Sequence, residues 1–206
     1  VDHIDYSINP KIESYFTLKT FKNAGSTAIP MHLAIFNLPQ KIAEKFNIPL
    51  IVWAENSASE YGYSSLKDTD FYLNKNWVKK YGVTNSTTAK DWFDNMLNVK
   101  NMNAYTSSEK NKKNGPISIF LGEFLKWDSK KSYLVAKRHG FKKDKSPKTG
   151  YYDFADIDDD LISIHHYLKW YKFGFTRLHD NLSIEIRNKR ITRNQALNIL
   201  KKIKNL

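Results

Sequence analysis

Leu50-Ile51-Val52-Trp53-Ala54 is the segment that most narrows the folds open to this chain. It is a five-residue apolar run rich in β-branched side chains, and it follows directly on the break Asn47-Ile48-Pro49. Such a run bounded by turn residues fits a strand buried on both faces, as in the interior of a parallel sheet. A helical pattern precedes it from Met31 to Phe46, carried by Leu33, Ile35, Phe36, Leu38, Ile42, Ala43 and Phe46. Pro39 should kink or divide that helix. Ile117-Ser118-Ile119-Phe120-Leu121-Gly122 predicts a second buried strand. The alternation of helix and strand points to an α/β domain built on a mostly parallel sheet.

Other segments fill in around this frame. Ile4, Tyr6 and Ile8 alternate with polar residues, which predicts a short strand. Asn9-Pro10 predicts an N-cap and first helical residue, with a helix from Lys11 to about Asn23 that presents Ile12, Tyr15, Phe16 and Lys19 on one face and stops at Gly25. Helices are expected from Asp68 to Lys80 and from Thr88 to Leu97, then an exposed polar loop from Asn98 to Asn114. Asp128 to His139 predicts a further helix, followed by a basic loop over Lys142–Gly150. Ile157, Leu161, Ile164, His165, Leu168 and Tyr171 recur at helical spacing and predict a buried face. Leu178, Leu182 and Ile186 continue a second helix, and Thr192-Arg193-Asn194-Gln195 is a capping box that opens a last one. The expected division is an α/β part over residues 1–150 and a helical extension over 151–206.

Composition enters by exclusion. With 14% aromatic residues the chain is not disordered, and without cysteine it has no disulfide, thiol nucleophile or Cys-based metal site. No apolar stretch approaches the roughly 18–20 residues of a membrane helix. The expectation is a cytoplasmic protein without a membrane partner. The start at Val1, with no initiator Met, fits either a processed domain or a piece of something longer. The 33 Lys and Arg against 21 Asp and Glu give +12, concentrated at Lys126–Lys148 and Ile186–Leu206. No RNA-binding aromatic motif, zinc module or helix-turn-helix accompanies the charge, so nucleic acid is not the expected partner. An anionic small substrate or an acidic partner would equally use it.

Glu55-Asn56-Ser57 stands just past the carboxyl end of the predicted strand, where open α/β sheets bind ligands. Glu55 and Asn56 are therefore candidate catalytic residues, with capping of the next helix as the alternative. His32, near a helix start, is a candidate neutral hydrogen-bonding base. Glu60 and Tyr61, before Gly62, could close the same pocket. Gly122 has an equivalent strand-end placement, and Lys126 and Arg177 are candidate anion contacts. Asp153, Asp156, Asp158, Asp159 and Asp160 invite a hard-cation reading, but acids near a helix N-terminus explain them equally, and His165-His166 lacks zinc-site spacing. No metal site is expected. No glycine-rich phosphate loop and no GxSxG elbow is present.

Taken in order, Gly25-Ser26-Thr27-Ala28-Ile29-Pro30-Met31-His32, Lys45 through Ser57, Glu60-Tyr61-Gly62, Gly122 with Lys126-Trp127-Asp128, Tyr151 through Asp160, Lys172-Phe173-Gly174 with Arg177, and Glu185-Ile186-Arg187-Asn188 resemble the N-acetyl sugar amidotransferase family of surface-polysaccharide and flagellin-glycan biosynthesis. The resemblance implies an adenine-nucleotide α-hydrolase-like, three-layer Rossmann-like sheet with a helical C-terminal extension. It implies an ATP-dependent reaction, assisted by Mg²⁺, that turns a sugar acetamido group into an acetamidino group with ammonia from a glutaminase subunit. The product class would be O-antigen, capsule, or the pseudaminic and legionaminic acids of flagellin. The family's Ser-Gly-Gly-x-Asp-Ser pyrophosphate loop has no counterpart here. The resemblance thus covers roughly the C-terminal half of a member, with ATP and Mg²⁺ held mainly upstream and the piece inactive alone. A tRNA-modifying or RNA-binding ATP-pyrophosphatase relative and a non-catalytic scaffold are the alternatives. Self-association is left open.

Overall fold

The computed structural model describes residues 2–57, 72–108, 115–126 and 128–203. Two compact units divide the chain, Val1–Phe124 and Leu125–Leu206.

In the first unit, helix α1 (Pro10–Ala24) starts where the sequence says it should. The Asn9 side chain accepts from the Lys11 N–H at 3.0 Å, and Gly25 closes the helix in the left-handed conformation at φ 57°. Ile12, Phe16 and Thr20, at i, i+4 and i+8, are its buried stripe. Helix α2 (Ile29–Lys45) runs unbroken through Pro39. The missing N–H costs one bond, and buried Leu33 and Ala34 before it and Ala43 after it hold both halves against the core.

Strand β1 (Leu50–Trp53) pairs in parallel with β2 (Ile117–Phe120), with Leu50 opposite Ile117 and Trp53 opposite Phe120. Tyr72 adds an isolated antiparallel bridge to Ile119, and the Leu73 N–H donates to the Ser118 carbonyl at 3.0 Å. Helix α3 (Lys75–Tyr81) follows, capped by the Asn74 side chain and closed at Gly82. Trp77 of α3 lies against Phe120, with Phe36, Trp53 and Tyr81 around it.

This arrangement corrects the three-layer Rossmann-like expectation. The described residues are 50% helix and 5% strand, with one two-stranded sheet. Leu50 and Val52 are 47% and 50% exposed, and Ile117 is 56% exposed, so among the described residues aromatic side chains cover one face of the sheet and none is packed over the other. A three-layer sheet needs both faces covered. Here α1 and α2 bury their apolar stripes mainly on each other and on residues 89–105. The predicted N-terminal strand is likewise absent: residues 2–9 have no regular structure, and Ile4 and Tyr6 are about half exposed. The expected helix over 88–97 reduces to a single 3₁₀ turn, Ala89–Trp92, because Asp94 turns its side chain onto the Met96 and Leu97 N–H groups. The segment expected to be an exposed loop after Asn98 carries Met102 and Tyr105, both fully buried.

The second unit holds α4 (Ser129–Arg138), α5 (Ile162–Phe173), α6 (Arg177–Arg187) and α7 (Arg193–Ile203). Asp128 caps α4 by accepting from the Lys130 N–H at 3.1 Å. The predicted capping box before α7 forms, with the Thr192 N–H donating to Gln195 at 2.8 Å and the Gln195 N–H donating back to the Thr192 hydroxyl at 3.2 Å. Leu178 and Leu182 of α6 pack with Ala196, Ile199 and Leu200 of α7. Helix α5 differs from expectation. Its one buried residue is His166, while Leu161, Ile164 and Tyr171 of the expected core face point outward.

Candidate functional site

Parallel pairing brings the carboxyl ends of β1 and β2 side by side, and the two chains leave the sheet together. After Trp53 comes Ala54-Glu55-Asn56; after Phe120 comes a 3₁₀ turn over Leu121–Glu123. The Asn56 amide donates from Nδ2 to Oε1 of Glu123 at 2.9 Å, and Asn56 is 8% exposed. Glu55 next to it faces solvent. Ser57 donates to the Tyr81 carbonyl at 2.8 Å, which ties the outgoing loop to the end of α3. A carboxylate–amide pair with a second carboxylate beside it can accept a proton and hold both halves of an amide group.

His32 sits in the first turn of α2, its Nδ1 2.8 Å from the Ala28 carbonyl. A carbonyl only accepts, so this contact places a proton on Nδ1. One turn along the helix, Phe36 contacts the Trp53 ring at the end of β1, with centroids 5.8 Å apart. The structure thus joins Asn56 to Glu123, with Glu55 and Gly122 as their chain neighbours. Glu123 was not singled out from the sequence, although the signal was present: it follows Gly122 at the second strand end as Glu55 follows Ala54 at the first. Glu60, Tyr61 and Trp127 lie outside the described residues.

Lys126 and Arg177 belong to the second unit. Lys126 is exposed. Arg177 is 9% exposed and donates from Nε to Asp156 at 3.2 Å, so a carboxylate of the chain already serves as its anion. The Asp run is engaged in the same way, with Lys143 on Asp153, Lys148 on Asp160, and the Leu161 N–H on Asp159 at 2.8 Å. Among the described residues no group of three His, Asp or Glu is arranged to hold a metal ion.

A second polar cluster was not legible beforehand. Thr149 and His166 hydrogen bond at 2.7 Å, and the Tyr151 N–H donates to Asn181 at 2.9 Å. A β-carbon on Gly150 would lie 2.3 Å from the Asn181 oxygen, so only glycine lets the loop approach α6 this closely. Burial first, and then the charges of Arg177, His165 and Lys169, depress the His166 imidazolium to about pKa 3 from an ordinary 6.5. The unfolded chain therefore binds a proton at His166 that the folded chain refuses. Stability should fall as pH drops from 6.5 toward about 3, by at most about 1.4 kcal/mol per pH unit. Chemical denaturation between pH 7 and 5, above the range where carboxylates titrate, should show a loss in wild type that is reduced in His166→Gln. Equal slopes in the two proteins would refute it.

No curated protein matches the chain. Residues 130–205 match the family described as LPS biosynthesis protein WbpG-like, C-terminal domain. Over those residues, most of the second unit, the chain is similar to a domain of lipopolysaccharide-biosynthesis proteins, and this similarity links it to surface-polysaccharide biosynthesis.

Proposed function

We propose that this chain is part of an ATP-dependent amidotransferase that converts a sugar acetamido group to an acetamidino group, using ammonia from a glutaminase partner, in O-antigen, capsule or nonulosonic acid synthesis. The observation that supports it most is the similarity of residues 130–205 to a lipopolysaccharide-biosynthesis domain, in a chain whose motifs resemble sugar amidotransferases nearly end to end.

The chemistry asks two things of the strand-end residues. An acetamido group has one donor and one acceptor, and the Asn56–Glu123 pair has an amide and a carboxylate with which to meet both. Ammonia that adds to the activated carbon must shed a proton, and Glu55 at the solvent-facing rim is the base for it. His32, held at Nδ1 by the Ala28 carbonyl, is a further polar contact for the sugar.

The described residues do not fit a triphosphate with Mg²⁺. Such a group needs several cations and N–H donors aimed at it, whereas Arg177 is engaged by Asp156 and no phosphate-binding loop occurs in the sequence. Activation of the amide oxygen by ATP is assigned to no residue of this chain and is proposed to occur on residues outside it.

In the intact enzyme given ATP, Mg²⁺, ammonium and a nucleotide-linked acetamido sugar, Glu55→Gln and Asn56→Ala should each slow amidination about 10²-fold. The readout is the mass change as oxygen gives way to NH, and ammonium removes dependence on the glutaminase. Wild-type rates in both variants would sink the proposed roles, and no amidination by the unaltered enzyme would sink the reaction itself.

A further inference from the structure

The covered face of the β1–β2 sheet holds two buried donors that the fold itself does not use. Among the described residues, neither Trp53 Nε1 nor Trp77 Nε1 has a hydrogen-bond partner, and both atoms are shut off from solvent. A buried indole N–H ordinarily finds an acceptor, and leaving one without costs about 1–3 kcal/mol. The two belong to one cluster, since the Phe36 ring contacts Trp53 at 5.8 Å and Trp77 at 5.6 Å between centroids. The cluster borders the strand-end site. Trp53 is the last residue of β1, three before Asn56, and its register partner Phe120 stands three before Glu123. On its other side Phe36 meets the His32 ring, with centroids 6.2 Å apart. Trp53 and Phe36 are half-buried, whereas Trp77 and Phe120 are 2% and 1% exposed, so the cluster runs from the surface inward.

An indole N–H only donates, so whatever satisfies it is an acceptor. The walls around the two indoles, Phe36, Leu73, Val78, Phe120 and Tyr81, are hydrocarbon and aromatic. A carboxylate or phosphate oxygen would give up its hydration against them at high cost, whereas a neutral carbonyl or hydroxyl oxygen regains its one lost bond from the indole. The chemistry therefore calls for an uncharged, oxygen-bearing group with an apolar body, which is how small-molecule sites of aromatic walls and a few placed donors select their ligands. An acetamido sugar has this make-up: a methyl, a carbonyl with two lone pairs, and hydroxyls on a ring with apolar C–H faces. The Asn56–Glu123 pair meets the amide N–H and one carbonyl lone pair, which leaves the second lone pair and the hydroxyls to the indoles.

We propose that Trp53 and Trp77 bind the sugar beside the Asn56–Glu123 pair, their N–H groups donating to carbonyl and hydroxyl oxygens of an acetamido sugar while its methyl lies against the rings of Phe36 and Trp53. The class of ligand rests on the amidotransferase reading, to which this adds the residues that recognise the substrate.

The five tryptophans give five indole N–H signals in a proton–nitrogen NMR spectrum, assigned through their contacts with neighbouring rings. Titration of the full chain with N-acetylglucosamine should move the Trp53 and Trp77 signals downfield, as donors that gain an acceptor, and leave the other three in place. Glucose, which lacks the acetamido group, should bind about tenfold more weakly or worse. Trp53→Phe keeps an aromatic ring and loses the N–H, and should raise the dissociation constant for N-acetylglucosamine about tenfold. Far-UV circular dichroism checks that the variant folds, and the signals of the unaltered chain carry the test without it. No movement of either signal, equal binding of glucose, or cross-peaks from a bound water to both indoles that the sugar leaves unchanged would overturn the proposal. The two readings fail separately. Shifts without amidination by the intact enzyme would support the sugar subsite and sink the reaction, whereas amidination without shifts would sink the subsite and leave the reaction standing.

Discussion

Arg190→Ala should destabilise the second unit by about 3 kcal/mol, an effect on the order of a hundredfold in its unfolding equilibrium. Arg190 ties α6 to the start of α4. Its guanidinium grips Glu185 of α6 through two bonds, Nε at 2.7 Å and Nη2 at 2.6 Å, and its Nη1 donates to Asp128 at 2.7 Å. Asp128 in turn caps α4, and Tyr152 donates to Glu185 at 2.5 Å. The Glu185 and Asp128 side chains are only 3% and 6% exposed. The Arg190 bonds hold the Glu185 carboxyl below its usual range, and at Asp128 burial pulls the other way but the Arg190 and backbone bonds outweigh it. Truncating Arg190 leaves two buried carboxylates without the guanidinium that bridges them, which costs more than the pair itself contributes. The Arg190 side chain is 22% exposed, which places the loss at the lower end of the range for buried pairs. Arg190→Lys should recover little, since an ammonium cannot reproduce the two-bond fork. Adding Glu185→Gln to Arg190→Ala should restore part of the loss by removing one stranded charge. Urea unfolding followed at 222 nm reads all three variants, and a loss below about 1 kcal/mol would mean that water replaces the guanidinium.

Local signals carried the legible part of this fold. Asn9-Pro10, Asp128 and the Thr192–Gln195 box each satisfy helix N–H groups from within a few residues, so their outcome needs no knowledge of distant packing. The strand positions of Leu50–Trp53 and Ile117–Phe120, and even their parallel pairing, were also legible. What covers them was not. An apolar run reads the same whether its sheet is buried on two faces or on one, and nothing in residues 50–54 reports where α1 and α2 will pack. Helix α5 failed in the complementary way, because periodicity finds a stripe without saying whether the stripe meets core or solvent. The Asn56–Glu123 contact joins residues 67 positions apart, and only half of it carried a local cue.

Tyr105→Ala should cost about 3–5 kcal/mol, in a stretch whose Asn, Lys and Ser content advertises a solvated loop. Polar composition is an average, and one large ring in such a stretch is enough to anchor it. Tyr105 is fully buried, and its ring meets Phe16 of α1 edge to face with centroids 5.1 Å apart. Its hydroxyl donates to Glu13, and its carbonyl accepts from the Asn37 side chain at 2.8 Å, so one residue holds the segment to both α1 and α2. Burial first, and then the Glu13 carboxylate, push the phenol well above its usual range, so the proton stays on Tyr105 and the bond keeps its direction. Alanine would open a cavity beside Phe16 and strip Glu13 of its donor. Tyr105→Phe keeps the packing and loses only the hydroxyl bond, for about 1–2 kcal/mol. Val99, six residues earlier in the same polar stretch and 73% exposed, sets the baseline, since Val99→Ala should stay within about 0.5 kcal/mol of wild type. Denaturation midpoints for the three variants rank the contributions. If Tyr105→Ala unfolded no more easily than Val99→Ala, the segment after Asn98 would be the solvated loop its composition suggests, and the core between α1 and α2 would have to close without it.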